Sequence, residues 1–272
     1  MKLAFIAVNY NNCYISANYV ANVKAIRNIE NHKLDIVIVD NCSKEDDYRI
    51  LKSEIEYDAN VIVVRSRENL GYFGGLNYGI KQINYEKYDY VIVGNNDVFF
   101  GRDFIDILDS KKYADNQTVI VPDLETINGI HQNPQFIDVP SKKRQFGYKI
   151  YYSCYLLAKL IDMVYKIKRT KRFKEKKKCN KEEKEIFQCT GALILLRPAF
   201  FKHCGLLDDS LFLWGEEVAL AHQLVLAQDK MLYDPELKVI HMENASVKKI
   251  TSYNKYKLWR KSYNIYKNYY YT

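Results

Sequence analysis

Several features are missing from this chain, and each absence narrows the reading. No run of about 18 apolar residues occurs, so no segment reads as a membrane-spanning helix. The six cysteines, Cys13, Cys42, Cys154, Cys179, Cys189 and Cys204, show no Cys-x-x-Cys spacing. That argues against a zinc site or a disulfide framework and leaves reduced, structural thiols as the expectation. The stretch from Met1 to Asn9 enters a strand-like run without the basic, apolar and small-residue regions of a secretory leader, so a cytoplasmic protein is expected. No glycine follows that first run, where a dinucleotide-binding Gly-x-Gly-x-x-Gly would begin.

Charge, by contrast, is abundant and uneven. The 272 residues carry a net charge of +8. Lys142 to Lys178 hold fourteen Lys or Arg against Asp162 and Glu175, a net +12, and Val247 to Thr272 hold seven basic residues and no acid. The remainder is therefore acidic, at −11. An acidic body with two basic appendages suggests a catalytic domain that carries its own docking surface for something anionic.

The first 120 residues alternate β-branched runs with amphipathic stretches, the pattern of an α/β fold in which helices cover a parallel, Rossmann-like sheet. Strands are predicted at Leu3–Val8, Leu34–Val39, Val61–Val64, Tyr90–Val93 and Val119–Val121, each nearly continuously apolar as buried parallel strands usually are. Helices are predicted near Ile15–Ile29, Lys44–Glu56, Gly74–Ile83 and Asp103–Ser110.

Ligands of open parallel sheets bind beyond the carboxyl ends of the strands. The residues there are unusually polar: Asn9-Tyr10-Asn11-Asn12, Asp40-Asn41-Cys42-Ser43, Arg65-Ser66-Arg67-Glu68-Asn69 and Gly94-Asn95-Asn96-Asp97. Any one cluster could be a structural turn, because Asn and Asp hydrogen-bond their own backbone. A glycine-rich stretch runs from Asn69 through Gly71, Gly74, Gly75 and Asn77 to Gly79. It either brings backbone close to a ligand or packs a helix tightly on the sheet.

Taken in order, Val8-Asn9-Tyr10-Asn11, Val39-Asp40-Asn41-Cys42-Ser43, the Asn69 to Asn77 loop, Asn95-Asn96-Asp97-Val98, Thr190-Gly191-Ala192 and Trp214-Gly215-Glu216-Glu217 resemble the family 2 glycosyltransferases of the GT-A fold, in particular their bacterial rhamnosyltransferase-like branch. The resemblance covers nearly the whole chain. It implies a single domain over 1–272: a nucleotide-sugar-binding half (1–122), an acceptor-binding half (123–246) with a basic insert (141–184), and a basic, Tyr-rich C-terminal segment (247–272). It also implies an inverting transfer from a nucleoside-diphosphate sugar to a glycan or lipid-linked acceptor in bacterial surface polysaccharide or glycolipid synthesis.

By that resemblance the donor site comprises Asn9, Tyr10, Asn11, Asp40, Asn41, Arg65, Asn69, Gly71, Gly74, Asn77, Asn95, Asn96 and Asp97. Asn95-Asn96-Asp97 stands where the family has Asp-x-Asp and keeps only the last acid, so Asp97 is the expected ligand of Mn²⁺ or Mg²⁺, hard cations that take oxygen ligands and phosphates. His241 matches the position from which a His completes the metal site; read from residues alone it is equally a structural imidazole. Glu216 and Glu217 fall at the family's Glu-Asp pair, with Glu217 where the base is expected, and both acids also suit a helix N-terminus. Trp214, Phe212 and Gly191 are expected on the acceptor side, although the two aromatics could equally be core.

Within the insert, Leu157, Leu160, Ile161, Val164 and Ile167 share one helical face with lysines opposite. That pattern suits either an anionic membrane surface or an ordinary packed helix followed by a solvated charge run. Nucleic acid is not an expected partner, because the basic segments lie outside the crevice motifs. A nucleic-acid-binding protein, a nucleotidyltransferase and a non-catalytic scaffold are the competing readings.

Overall fold

Alternation within the first strand explains the layering. In the computed structural model, which describes residues 1–55, 59–172, 181–243 and 252–269 (without the side chains of 166–172), β1 spans Lys2–Asn9 and is buried along most of its length. Its Leu3, Phe5 and Ala7 point to one face and Ala4 and Ile6 to the other, as the period of two demands. Each face must therefore be covered. One is covered by α1 (Cys13–Lys24), α2 (Glu45–Ile55) and α4 (Phe104–Ser110), through Tyr19, Val23, Leu51 and Phe104. The other is covered by α3 (Tyr72–Ile80), α7 (Pro198–Cys204) and α8 (Glu216–Ala227), through Phe73, Leu76, Phe200 and Leu220. Fully burying one such side chain is worth about 1.5–3 kcal/mol, so the two aliphatic and aromatic layers dominate stability.

Among the described residues the sheet has nine strands. β2 (Lys33–Asp40), β3 (Val61–Arg65) and β4 (Tyr90–Asn95) join β1 in parallel in the order β3-β2-β1-β4. The chain moves outward from β1 to β3 and then returns to the far side of β1. The topological switch point therefore lies between the carboxyl ends of β1 and β4, where a crevice opens. β8 (Leu193–Leu196) pairs antiparallel with β4, and β6 (Gln117–Thr126) lies beyond it. β9 (Lys230–His241) runs parallel to β6, while β5 (Val98–Phe100) and β7 (Lys184–Ile186) pair antiparallel with β9. β1, β2, β3, β4, β6 and β9 thus run one way, giving the mostly parallel GT-A type sheet.

The differences from expectation have local causes. The first helix stops at Lys24 because Asn28 takes a left-handed conformation (φ 62°) and a short 3₁₀ turn follows at Ile29–Asn31. β6 continues to Thr126, unbroken through residues 122 and 123, because β9 pairs along it on both sides of a register shift. The insert is two helices, α5 (Lys142–Tyr151) and α6 (Tyr155–Arg172). Residues 173–180, Cys179 among them, and the side chain of Ile167 lie outside the described residues. The other five cysteines are free thiols. Among the described residues no helix is long and apolar enough to cross a membrane.

The C-terminal helix α9 (Ser252–Tyr266) turns aromatic side chains inward instead of toward solvent. Tyr256 and Tyr266 are buried, and Tyr263 stacks on Tyr152 of the α5–α6 turn with ring centroids 4.5 Å apart. The two basic appendages are therefore one packed unit, joined by aromatic contacts worth about 0.5–1.5 kcal/mol each beyond their buried area.

Candidate active site

Strand pairing assembles the crevice from distant segments. β5 begins immediately after Asp97, and Val98 pairs with His241 at the end of β9. Asp97 Oδ1 consequently lies 3.2 Å from His241 Nε2, with the Met242 N–H donating to the Asp97 carbonyl at 2.9 Å. His241 Nδ1 lies 2.8 Å from the Gln132 side-chain oxygen, an obligate acceptor, so Nδ1 carries the proton. Asn95 Nδ2 lies 3.3 Å from Nε2. In the neutral tautomer with the proton on Nδ1, Nε2 and the Asp97 carboxylate are two electron-pair donors that face each other and can hold a cation between them. A second hydrogen-bond partner fixing the tautomer is the usual companion of a metal-binding histidine. No group of three or more His, Cys, Asp or Glu among the described residues could hold a metal. Two donors of this kind suit a hard divalent ion that takes its other ligands from outside the chain, such as phosphate oxygens and water.

The second centre sits at the start of α8. Gly215 (φ 100°) turns the chain into the helix, and Glu216 and Glu217 occupy its first turn. Glu216 is 3% exposed, and its Oε1 has no hydrogen-bond partner among the described residues. Burial, with the neighbouring Glu217 charge adding to it, pushes the Glu216 carboxyl up to about 8. Burial also raises Glu217, while backbone N–H groups, including that of Gly191 at 3.3 Å from Oε1, act in the opposite direction. Glu217 lines a cavity of ≈ 240 Å³ with Gln135, Gln188, Trp214, Tyr152 and Trp259. Trp214 meets Trp259 edge-on at 5.5 Å, and Lys255 lies over both rings. Phe212 is 45% exposed and is not among the residues lining this cavity, and its carbonyl accepts from the Tyr72 N–H.

Tyr72 links the two centres. Its hydroxyl donates to the Gly191 carbonyl at 2.7 Å. Burial first, then the charges of Glu216, Glu217 and Asp97, hold its pKa well above the ordinary phenol value. Tyr72 and Gln132 escaped the sequence reading of the site because neither stands in a polar cluster at a strand end, and Trp259 was read only among the C-terminal aromatics that suit a membrane surface. Tyr72 was inside the glycine-rich stretch, and its hydroxyl among glycines was the available signal.

The other expected donor-site residues divide by burial. Asn9 and Asp40 are wholly buried: Asn9 Nδ2 donates to Asp40, Ser43 and Asp47, and Asp40 pairs with Arg65 Nε at 3.2 Å. Arg65 also pairs with Glu45 at 2.6 Å and lies over the Tyr48 ring. Asn41 Nδ2 donates to the Gly71 carbonyl at 2.9 Å and reaches Asn69, so these residues brace one another. Asn96 ties β4 to α1 through Asn12 and Ser16. Asn77, expected to face the crevice, instead donates to the Leu207 carbonyl and to Asp209 and accepts from the Leu207 N–H. Gly74 is buried against Leu70 and Asp209. Tyr10 and Asn11 are exposed at the rim. Gly71 (φ 77°) requires glycine, since a Cβ there would lie 2.3 Å from the Phe212 carbonyl oxygen. Polar side chains thus build the crevice walls, and the rim is left to Tyr10, Asn11 and the Asn69 loop.

Solved structures share this fold. The crystal structure of GalNAc-T7 with UDP, GalNAc and Mn²⁺ matches over 100% of this chain and 50% of its own, with TM-score 0.68 and 16% identity. The mannosyltransferase PcManGT from Pyrobaculum calidifontis, in complex with GDP-Man and Mn²⁺, matches over 98% of this chain and 62% of its own (TM-score 0.58, 10% identity). S. aureus TarS 1–349 in complex with UDP-GlcNAc matches over 92% and 62% (TM-score 0.55, 14% identity). The chain spans half the length of the first of these and less than two thirds of the other two. No curated protein matches the sequence significantly. A family model described as glycosyl transferase family 2 matches residues 5–201, which take in both sides of the crevice from Asn9 to Gly191 but stop before Glu216 and His241. That match spans well over half of the sequence, and the chain belongs to glycosyl transferase family 2.

Proposed function

We propose that the chain is an inverting glycosyltransferase that moves a sugar from a nucleoside-diphosphate sugar onto an acceptor hydroxyl, with Glu217 as general base. The observation that carries this reading is the Glu217 carboxylate in the wall of an aromatic cavity, held by Gly191, whose carbonyl is tied in turn to Tyr72 of the glycine-rich loop. Aromatic rings suit the apolar faces of sugars, and a base must lie within hydrogen-bond reach of the attacking hydroxyl.

In this reading the acceptor oxygen attacks the anomeric carbon from the side opposite the diphosphate. The carbon–oxygen bond to the diphosphate breaks, its electron pair leaves with the nucleoside diphosphate, and the acceptor proton passes to Glu217. Glu216, raised to about 8 by burial and the Glu217 charge, keeps its proton at neutral pH, while the backbone N–H groups of Glu217, Gly191 and Gly215 favour the charged form of Glu217. Asp97 and His241 would hold Mn²⁺ or Mg²⁺, which supplies positive charge for the departing diphosphate when bound. Tyr10, Asn11 and the Asn69 loop receive the nucleotide, and Asp40, Asn9 and Arg65 keep their crevice edge in place. The finer reading is a rhamnosyltransferase-like enzyme of bacterial surface polysaccharide or glycolipid synthesis, acting on a glycan or lipid-linked acceptor at the inner face of the cell membrane. The basic, partly apolar α5–α6–α9 unit supports it.

Calorimetric titration with UDP, GDP, TDP and CMP, each with and without Mn²⁺, tests the proposal. Metal-enhanced binding of one nucleotide is expected, and binding of none overturns it. With the donor known, Glu217→Gln should keep donor affinity while transfer falls by about 10²–10⁴-fold. Near wild-type transfer by that variant would remove Glu217 as the base.

A further inference from the structure

The α5–α6–α9 unit has a side that no other part of the described residues covers. On α6, Leu156 is 72% exposed, and Leu160 and Met163 are each 54% exposed, while Ala158 on the opposite side is buried. Phe146 of α5 adds a ring that is 62% exposed. An amphipathic helix in a globular protein normally turns its apolar stripe to the core; here much of that stripe faces outward. Two grooves follow it. One, of ≈ 770 Å³, runs between α6 and α9 past Leu156, Leu160, Met163 and Lys255, and the other, of ≈ 570 Å³, runs between α5 and α6 past Lys143, Arg144 and Ile161. Trp259 lines both grooves and also the cavity that contains Glu217.

The charge around this apolar strip is mostly positive. Lys143 and Arg144 on α5, Lys159 on α6 and Lys255 on α9 line the grooves, with Lys142, Lys149, Lys257, Arg260 and Lys261 on the same helices, and Asp162, which lines both grooves, is the one acid on the three helices. Exposed apolar side chains rimmed by basic ones are the composition that seats a helix at the headgroup boundary of an anionic bilayer, with phosphates drawing the lysines and the acyl region taking the leucines. A nucleic acid would use the charge but leave Leu156, Leu160 and Met163 in water. A second copy of the chain would bring the same positive charge against itself.

We propose that the α5–α6–α9 face docks on an anionic lipid bilayer, with the apolar side of α6 in the headgroup boundary, so that the Glu217 cavity receives its acceptor past Trp259 from the membrane side. Only the clause about the acceptor rests on the transferase reading; the docking is read out without any transfer.

The test is cosedimentation of the full chain with vesicles of phosphatidylcholine alone or of phosphatidylcholine and phosphatidylglycerol in equal parts. Binding is expected to the mixed vesicles, to weaken as salt is raised, and to be at least about tenfold weaker in the Leu160→Glu/Met163→Glu double variant, whose substituted positions are more than half exposed. A melting temperature equal to wild type shows that the variant is folded. No binding to mixed vesicles, equal binding to both compositions, or undiminished binding by the folded variant overturns the docking. So does a solution dimer that the double variant abolishes, because the face would then belong to a second copy. Docking without binding of any nucleoside diphosphate would sink the transferase reading alone; nucleotide binding without docking would sink this inference alone.

Discussion

The Tyr72 hydroxyl donates to the Gly191 carbonyl at 2.7 Å, a contact between residues 119 positions apart. The amide of Gly191 donates in the other direction, to Glu217 Oε1, so the glycine-rich loop helps to set the position of the carboxylate. Tyr72→Phe removes only the hydroxyl. The expected result is a fall in kcat of about tenfold with nucleotide affinity and KM for donor unchanged, since misplacing a reacting group acts on the chemical step. A purely structural role would show instead as a loss of about 1 kcal/mol in denaturant unfolding with kcat intact.

Glu216 makes stability depend on pH with a definite sign. Its carboxyl is raised from 4.5 to about 8 in the folded protein. Below about pH 4.5 both folded and unfolded forms are protonated and the group contributes nothing. As pH rises toward 8 the unfolded chain ionises freely while the folded one resists, so stability falls, by about 1.4 kcal/mol per unit of separation. Glu216→Gln has no such group. Its melting temperature should draw progressively above wild type between pH 5 and 8, and parallel curves would show that Glu216 is not held neutral.

Gln132 fixes which nitrogen of His241 faces Asp97. Gln132→Leu frees the imidazole to rotate or to exchange its proton. Mn²⁺ enhancement of nucleotide binding should weaken by about 10–100-fold, the usual cost of losing such a partner, with metal-free nucleotide binding unchanged. Calorimetry at several Mn²⁺ concentrations reads this directly.

Gly71 is held at φ 77° against the Phe212 backbone. Gly71→Ala introduces both strain and a 2.3 Å clash with a carbonyl oxygen, so roughly 2–4 kcal/mol of destabilisation is expected in urea unfolding. A neutral substitution would mean that the two segments separate without penalty.

Much of the architecture was legible because buried parallel strands are written as continuous β-branched runs, and all five predicted strands occur within longer observed ones. Antiparallel β5, β7 and β8 were not read. β5 and β7 have three residues each, and the apolar β8 gives no local clue that it threads between β4 and β6. The polar clusters were found at the strand ends, but their division of labour was not. Asn9, Asp40, Asn77 and Asn96 look alike in sequence, and only the fold shows the hydrogen bonds that tie each of them to its neighbours.

The sequence by itself determined the strand runs, the acidic body with its basic appendages, and the order of motifs, because periodicity and charge are local properties of a chain. The tertiary structure decided which residues meet. It set His241 beside Asp97 through the β5–β9 pairing, Tyr72 on Gly191, and the aromatic residues of both appendages around Glu217. Pairings across a hundred or more residues depend on packing of the whole sheet and leave no periodic trace in the segments they join.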